Sequence, residues 1–208
     1  MVALARRFGL ENSKTRTHLL DAAEQLMREE GYAAVTSRRV AAKAGLKPQL
    51  VHYYFRTMDD LFIALVQRGA EHNRQRLANA LASNEPLQAV WEFCSDPETA
   101  ALSAEFLALA NHRKNIQAEI GRYAEQYRSM QVEVLSRVLE QGGMDPKVWP
   151  LPAIVFLMAS AARALTIEKS LGVSTGHAEI LEWFRQYQEM LKTGRRTGEP
   201  CAHIPPPI

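Results

Sequence analysis

Apolar residues recur along most of the chain at the three- and four-residue spacing of amphipathic helices. The first such segment runs from about Lys14 to Glu30 and ends at Gly31, a residue type that commonly terminates helices. Beyond residue 83 the pattern predicts five more helices: Pro86 to about Cys94, Pro97 to about Lys114, Asn115 to Gln141, Pro152 to Leu171 and Gly176 to Lys192. We find no strand alternation and no internal repeat, so the chain is predicted to be all-α.

Three further helices are predicted between the first segment and residue 83. Thr36 can cap a short helix that extends to Gly45. Pro48 suits the first position of a third helix, which ends at Phe55, because its missing amide would lack a helical partner there anyway. A fourth helix begins near Thr57, whose hydroxyl can cap it.

The two helices joined by residues 44–47 have the spacing of a helix-turn-helix, in which the second helix enters the major groove of DNA. Ala41 is small where the two helices approach most closely, and Gly45 can adopt the left-handed conformation of the turn without a Cβ penalty. The residues expected to form an apolar wedge between the helices are Val40, Ala44, Leu46 and Val51. The alternative to this interpretation is an ordinary helical hairpin.

Charge is unevenly distributed along the chain, although the formal net charge is only +2. Residues 1–56 contain ten Lys and Arg against five Asp and Glu, whereas residues 57–208 contain fifteen against eighteen. The first quarter is therefore basic, which favours a module that binds a polyanion over a merely solvated surface.

These residues resemble the TetR family of bacterial transcriptional regulators, most densely from Arg16 to about Leu65. The resemblance rests on four stretches: Leu20-Asp21-Ala22-Ala23-Glu24, Glu30-Gly31-Tyr32, Thr36 through Leu46, and Tyr53-Tyr54-Phe55 followed by Asp59-Asp60-Leu61. It implies a homodimer, with N-terminal helices on DNA and C-terminal helices that form an effector cavity and the dimer interface. The expected organisation is a flexible basic leader (1–13), a three-helix helix-turn-helix domain (14–60), a larger helical effector-binding and dimerisation domain (61–192) and a disordered tail (193–208).

The resemblance also implies which residues contact DNA. Thr36 and Ser37 would hold a phosphate, Arg38 would reach a guanine edge, and Arg39 would either contact the DNA backbone or pair with Glu29 or Glu30. On the recognition helix the expected contact residues are Lys47, Gln49, Leu50, His52, Tyr53 and Tyr54. Gln49 could read adenine and Leu50 could touch a thymine methyl group, whereas Phe55 is expected in the core.

The C-terminal body contains the residues that could line an effector pocket. Large apolar side chains interspersed with polar ones favour a small hydrophobic or aromatic ligand. The candidates are Trp91, Phe106, His112, Tyr123, Tyr127, Met130, Phe156 and Arg163, with Glu105 as a further polar group. The last two helices are apolar on more than one face, which predicts a two-fold dimer interface that includes Phe156, Ala159, Trp183, Phe184 and Tyr187.

Other classes of protein are disfavoured. The chain has no phosphate-binding glycine loop, no HExxH and no nucleophile elbow, so we predict that it is not an enzyme and has no cofactor, catalytic residues or metal site. Cys94 and Cys201 are far apart in sequence, which favours a cytoplasmic protein without a disulfide framework. No apolar run of roughly 20 residues is evident, so no membrane span is predicted. We predict a transcriptional regulator, most simply a repressor released by an effector from palindromic double-stranded DNA; the alternative is a helical adaptor or ligand-binding protein that has lost DNA binding.

Overall fold

A computed structural model describes residues 13–141 and 150–193. This described part contains nine α-helices and one short 3-10 helix, Tyr32–Ala34. The α-helices are α1 (Lys14–Glu30), α2 (Ser37–Lys43), α3 (Pro48–Tyr54), α4 (Met58–Leu81), α5 (Pro86–Cys94), α6 (Pro97–Ala110), α7 (Lys114–Gln141), α8 (Leu151–Ser170) and α9 (His177–Thr193). The prediction of an all-α chain is confirmed. Residues 1–12 of the predicted leader and 194–208 of the predicted tail lie outside the described residues.

Local capping interactions explain several helix ends. The Ser13 hydroxyl accepts the Arg16 amide at the start of α1, and Gly31, with φ of 81°, ends it. Thr57 and Asp60 form a reciprocal pair at the start of α4, since each side chain accepts the backbone N–H of the other, at 3.1 and 3.0 Å. Gly31 and Thr57 were predicted to end α1 and to cap α4, whereas the Ser13 cap was not predicted.

The predicted end of α6 near residue 114 is four residues too late. The chain turns after Ala110, where the His112 N–H donates to the Leu109 carbonyl and the Arg113 N–H to the Ala110 carbonyl. These three-residue spacings tighten the chain into a turn before α7 begins. The 3-10 helix between α1 and α2 was not predicted, because three residues are too few for a periodic pattern.

The described chain forms two compact units. The first unit contains residues 13–75 and 97–125, and the second contains residues 76–96, 126–141 and 150–193. They do not divide at residue 60, the domain boundary expected from the sequence. Instead, residues 58–75 of α4, all of α6 and residues 114–125 of α7 pack with the helix-turn-helix.

Each unit has its own apolar core. In the first, side chains from α1 to α4 meet Leu109, Ala110 and Ile116 of α6 and α7. In the second, Trp91 stacks on Phe184 with ring centroids 4.0 Å apart, among apolar residues of α4, α5, α7 and α8.

Helix α8 is long and apolar enough to cross a membrane, with 20 residues and a mean hydropathy of 1.5 over its most apolar window. This corrects the expectation that no such segment exists; it is the one helix of this kind among the described residues. The expectation failed because small residues such as Ala and Ser separate the larger apolar ones without adding charge. Val155, Met158 and Ala162 of α8 are buried in the core of the second unit, and core helices commonly meet the same criteria.

Candidate DNA-binding site

The turn between α2 and α3 has the backbone geometry that its sequence predicts. Gly45 adopts φ of 65°, and the Leu46 N–H donates to the Ala41 carbonyl at 2.9 Å, which closes the end of α2. The His18 ring nitrogen Nε2 lies 3.1 Å from the Ala44 carbonyl oxygen and donates to it from α1. The turn is therefore fixed both by its own backbone and by the first helix.

An apolar wedge between α2 and α3 sets their relative orientation. Val40, Ala41 and Val51 are fully or almost fully buried, and Ala44 is buried beside them. Leu46 packs against this cluster from the turn, as predicted. Because these side chains occupy the inner faces, the opposite faces of both helices are left to solvent.

The predicted DNA contacts lie mainly on those outer faces. Thr36, Arg38, Arg39, Lys47, Gln49, His52 and Tyr53 are exposed, whereas Ser37, Leu50 and Tyr54 are half-buried. Thr36 also caps α2, because its hydroxyl accepts the Arg39 amide at 3.4 Å. Tyr54 packs partly into the core and meets Tyr53 edge to face, with ring centroids 5.0 Å apart. Phe55 is buried, as expected.

Two adjacent arginines at the start of α2 have different surroundings. Arg39 donates to Glu30 at 2.5 Å, which is the ion pair that the sequence left open as one of its two roles. Arg38 is exposed and makes no hydrogen bond or ion pair with any residue in 13–141 or 150–193. Its guanidinium therefore carries a charge that the described protein does not neutralise.

The carboxylates next to this face are held by the protein itself. The hydrogen bond from Arg39 keeps the pKa of Glu30 below its ordinary value, and a hydrogen bond from Lys43 does the same for Glu29. Both carboxylates are therefore ionised at neutral pH and paired with a cation. Their pairing limits repulsion of a nearby phosphate backbone.

Residues 97–125 contribute polar contacts that stabilise the first unit. These contacts were not predicted from the sequence. The Glu105 carboxylate accepts the Tyr32 N–H at 2.7 Å and lies against Gly31, where a Cβ would come within 3.2 Å of it. Arg113 forms an ion pair with Asp59 at the start of α4. No spacing in the sequence indicates these pairs, because the partners are more than fifty residues apart.

Comparison with known proteins identifies the family of the helix-turn-helix. Residues 19–65 match the family model described as bacterial regulatory proteins, tetR family, and this range covers the whole helix-turn-helix. This segment is a DNA-binding module of the TetR type.

Two curated relatives are also similar. An uncharacterised HTH-type transcriptional regulator in the dhlA 5′ region of Xanthobacter autotrophicus is 35% identical over 79 residues, which are 38% of this chain and 37% of that protein. The HTH-type transcriptional regulator BetI of Rhizobium meliloti is 30% identical over 123 residues, 55% of this chain and 61% of BetI. The match thus spans less than two thirds of either relative.

Solved structures extend the likeness of fold over most of the chain. A transcriptional regulator from Pseudomonas aeruginosa PAO1 aligns with a TM-score of 0.69 and 19% identity, covering 91% of this chain and 99% of that one. A TetR-family regulator from Rhodococcus aligns with a TM-score of 0.66 and 16% identity, covering 88% and 97%. At these identities the likeness concerns the fold, which is a helix-turn-helix followed by a helical body.

The predicted effector residues are divided between the two units. Phe106, His112 and Tyr123 lie in the first unit, where Phe106 and Tyr123 pack against its core and His112 is exposed. The other five candidates, Trp91, Tyr127, Met130, Phe156 and Arg163, lie in the second unit.

The structure adds three residues of the second unit that sequence reasoning did not select. The Gln131 amide is buried and lies 3.7 Å from the Cys94 sulfur, and the Arg128 guanidinium lies 5.2 Å from the centroid of the Phe156 ring. A buried glutamine has no sequence signal of its own, because glutamine is common on exposed helix faces.

The predicted dimer residues also fall into two groups. Ala159, Phe184 and Tyr187 are buried within the second unit of the single chain. Phe156 is 55% exposed and Trp183 is 43% exposed, and they are accompanied by the exposed apolar residues Leu157, Ile167 and Leu181. Exposed apolar side chains of this size on two helices are typical of a surface that another molecule covers.

Proposed function

We propose that this chain is a sequence-specific DNA-binding transcriptional regulator of the TetR family that acts as a homodimer. The proposal depends above all on the surroundings of Arg38, which is exposed and has no partner among the described residues. It lies at the start of α2, and the opposite face of that helix is buried in the core. Such a guanidinium is available to donate two hydrogen bonds to a guanine edge.

The remaining contacts follow from the positions of the outer residues. Thr36 and Ser37 at the start of α2, and Lys47 and Tyr53 at the two ends of α3, would bind phosphates and thereby set the register on the duplex. Gln49 and Leu50, on the first turn of α3, would contact base edges. Phosphate contacts supply affinity and base contacts supply specificity, so the two sets should respond differently to mutation and to salt.

A homodimer would explain the exposed apolar residues of α8 and α9. Two copies related by a two-fold axis would cover Leu157, Leu181 and Trp183 and would present two recognition helices to a palindromic operator. Half-sites would then be separated by about one helical turn of DNA. DNA binding in turn implies a cytoplasmic regulator rather than an enzyme.

Release by a small effector is the mode of regulation that we propose. A hydrophobic or aromatic molecule that binds the second unit would favour a dimer whose recognition helices no longer match the operator. Effector and DNA would then weaken each other's binding reciprocally, by about 1 to 3 kcal/mol for typical coupling. The protein would thus be a repressor.

Fluorescence anisotropy tests the DNA-binding proposal. The wild-type protein is titrated against the DNA upstream of its own gene and against a shuffled duplex, at two salt concentrations. An Arg38→Ala, Tyr53→Ala double variant is compared with Arg137→Ala, which removes one exposed arginine that pairs with Glu133 on α7.

We expect tight binding to the upstream DNA, weaker binding to the shuffled duplex and loss of binding in the double variant only. Equal and salt-sensitive binding to both duplexes would indicate a working module whose operator lies elsewhere in the genome. Absence of binding at low salt would overturn the proposal and favour an adaptor that has lost DNA binding.

A further inference from the structure

Two arginines of the second unit differ from the others in their ionic partners. Of the five arginines that the structure describes in this unit, three pair with carboxylates: Arg76 with Asp96 at 2.8 Å, Arg137 with Glu133 at 2.5 Å and Arg185 with Glu182 at 2.6 Å. Neither Arg128 nor Arg163 pairs with a carboxylate in the described part of the chain. The two arginines of this unit that lack a described counter-charge are therefore these two.

Arg128 of α7 and Arg163 of α8 both lie at the face of α8 that carries Phe156 and Ser160. Burial raises the pKa of the Cys94 thiol, and the positive charges of both Arg163 and Arg128 act in the opposite direction, so both guanidiniums are within electrostatic reach of one sulfur atom on α5. Phe156, Ser160 and Arg163 follow each other at four and three residues on one face of α8. Arg163 reaches Ser160 Oγ at 3.5 Å, and Arg128 lies over the ring of Phe156.

The two arginines differ in exposure. Arg128 is half-buried and its guanidinium lies over the Phe156 ring, whereas Arg163 is exposed. The half-buried guanidinium has lost part of its hydration and gains more from a counter-ion than a fully exposed one would.

We propose that Arg128 and Arg163 bind the carboxylate of an amphipathic ligand, a monocarboxylic acid with an alkyl or aromatic body. One guanidinium offers two parallel N–H donors that match the two carboxylate oxygens, and the second adds charge and a further donor. Phe156, over which Arg128 lies, provides apolar surface for the body of the ligand. The proposal rests on the proposed function in one respect, because it assigns a chemical class to the effector.

Calorimetric titration with pairs of acids and amides tests this assignment. The probes are linear monocarboxylates of four to twelve carbons, benzoate, phenylacetate and 4-phenylbutanoate, each matched with its primary amide. The variants Arg128→Met and Arg163→Met keep an apolar stem and remove the charge, whereas Arg163→Lys keeps the charge without the planar fork. Arg137→Met serves as the control, because it removes an arginine of the same unit that already has a carboxylate partner.

We expect at least one carboxylate to bind the wild type about 10- to 100-fold more tightly than its amide, as charge-assisted bonds to a guanidinium typically require. Each methionine variant should reduce that ratio severalfold, Arg163→Lys should retain part of it, and Arg137→Met should leave it unchanged. Circular dichroism verifies that the variants are folded. If no carboxylate in the set binds more tightly than its amide, or if an alkyl phosphate of the same chain length binds more tightly than the carboxylate, the assignment is wrong.

Two further measurements separate this assignment from its alternatives. If the methionine variants change the sedimentation of the protein from dimer to monomer and leave the acid-to-amide ratio as in the wild type, the arginines meet a carboxylate of a second copy and the ligand assignment fails. If a carboxylate binds as expected but does not lower the affinity for DNA, the binding site stands and the proposed release mechanism fails. Ligand binding is measured without DNA, so absence of DNA binding overturns only the proposed function.

Discussion

Adjacent arginines on α2 show how neighbouring side chains decide the role of a charged residue. Arg39 is committed to Glu30, which raises the pKa of the guanidinium further and leaves its charge compensated. Arg38 has no such partner among the described residues. We therefore expect Arg38→Ala to lower the affinity for the cognate duplex about 10- to 100-fold, since one bidentate contact to guanine contributes about 1 to 3 kcal/mol of discrimination. Arg39→Ala should cause a clearly smaller loss.

Anisotropy titrations of both variants at one salt concentration check this prediction. Both substitutions remove one positive charge from the same turn of the same helix, so their long-range electrostatic effects on DNA are matched. Equal losses for the two variants would mean that charge alone matters at this position and would contradict a base contact by Arg38.

A second prediction at this scale concerns Glu24 on α1. Burial opposes its ionisation, but hydrogen bonds from Arg28 and Arg68 outweigh burial, so the pKa of Glu24 lies below its ordinary value of 4.5. A carboxyl group whose pKa is lowered in the folded state stabilises the protein above pH 4.5, and this contribution is lost as the pH falls through the folded-state pKa. Glu24→Gln should therefore lower the free energy of unfolding by about 1 kcal/mol at pH 7 and by progressively less at acidic pH.

Urea denaturation of wild type and Glu24→Gln at several values between pH 7 and pH 3 measures this difference. Glu125→Gln controls for the loss of one negative charge in the same unit, because Glu125 is exposed and has no ion pair with a described residue. A stability difference between wild type and Glu24→Gln that stays constant over this range would refute the role of Glu24 ionisation.

At the scale of the helices, the limits of sequence-based prediction follow from the range of the interactions involved. The start of α2 at Thr36 and the end of α1 at Gly31 could be predicted, because caps act on residues within one turn. The contact between Glu105 and Tyr32 and the pairing of Arg113 with Asp59 could not, because they depend on how α6 and α7 fold back onto the helix-turn-helix. The same limit explains why the division into units differs from the predicted boundary at residue 60.

The range of the interactions also explains which parts of the candidate sites could be predicted from the sequence. The outer faces of α2 and α3 follow from helical periodicity once the apolar wedge is known, so the exposed residues of these faces could be named, apart from the half-buried Ser37, Leu50 and Tyr54. The neighbours of Cys94 come from α5, α7 and α8, and periodicity does not specify which turns of three helices meet. Arg128 and Gln131 were therefore missed.

Two glycines on different elements give a matched test of backbone conformation. Gly45 adopts a positive φ of 65° in the helix-turn-helix, whereas Gly69 lies inside α4, and a Cβ at either position would meet no atom within 4 Å. Gly45→Ala should lower the free energy of unfolding by about 1 to 2 kcal/mol, because an L residue is strained in the left-handed region. Gly69→Ala should raise it by about 0.5 to 1 kcal/mol, since alanine favours a helix interior.

Thermal and urea denaturation of the two alanine variants and the wild type measure these opposite shifts. Since neither substitution creates a steric contact, the two differ only in backbone conformation. A stabilising Gly45→Ala would mean that the turn does not require the left-handed conformation.

For the molecule as a whole, the exposed apolar residues of α8 and α9 predict its state of association. Leu157 on α8 is 62% exposed, and Leu107 on α6, in the first unit, is 57% exposed. A charge placed in a two-fold interface occurs twice and must lose its hydration on association, so Leu157→Arg should convert the proposed dimer into a monomer at micromolar concentration. Leu107→Arg makes the same chemical change at a similar exposure and should leave the dimer intact. Sedimentation velocity distinguishes the two variants.

The same pair of variants connects association with DNA binding. In a dimer, binding of one recognition helix holds the second near the other half-site, so the two contacts reinforce each other without any new interaction. Leu157→Arg should therefore weaken binding to a palindromic duplex by at least tenfold while binding to a single half-site is unchanged. Leu107→Arg should bind both duplexes as the wild type does. If Leu157→Arg remains a dimer or binds the palindrome with wild-type affinity, the apolar surface of α8 is covered by something other than a second copy.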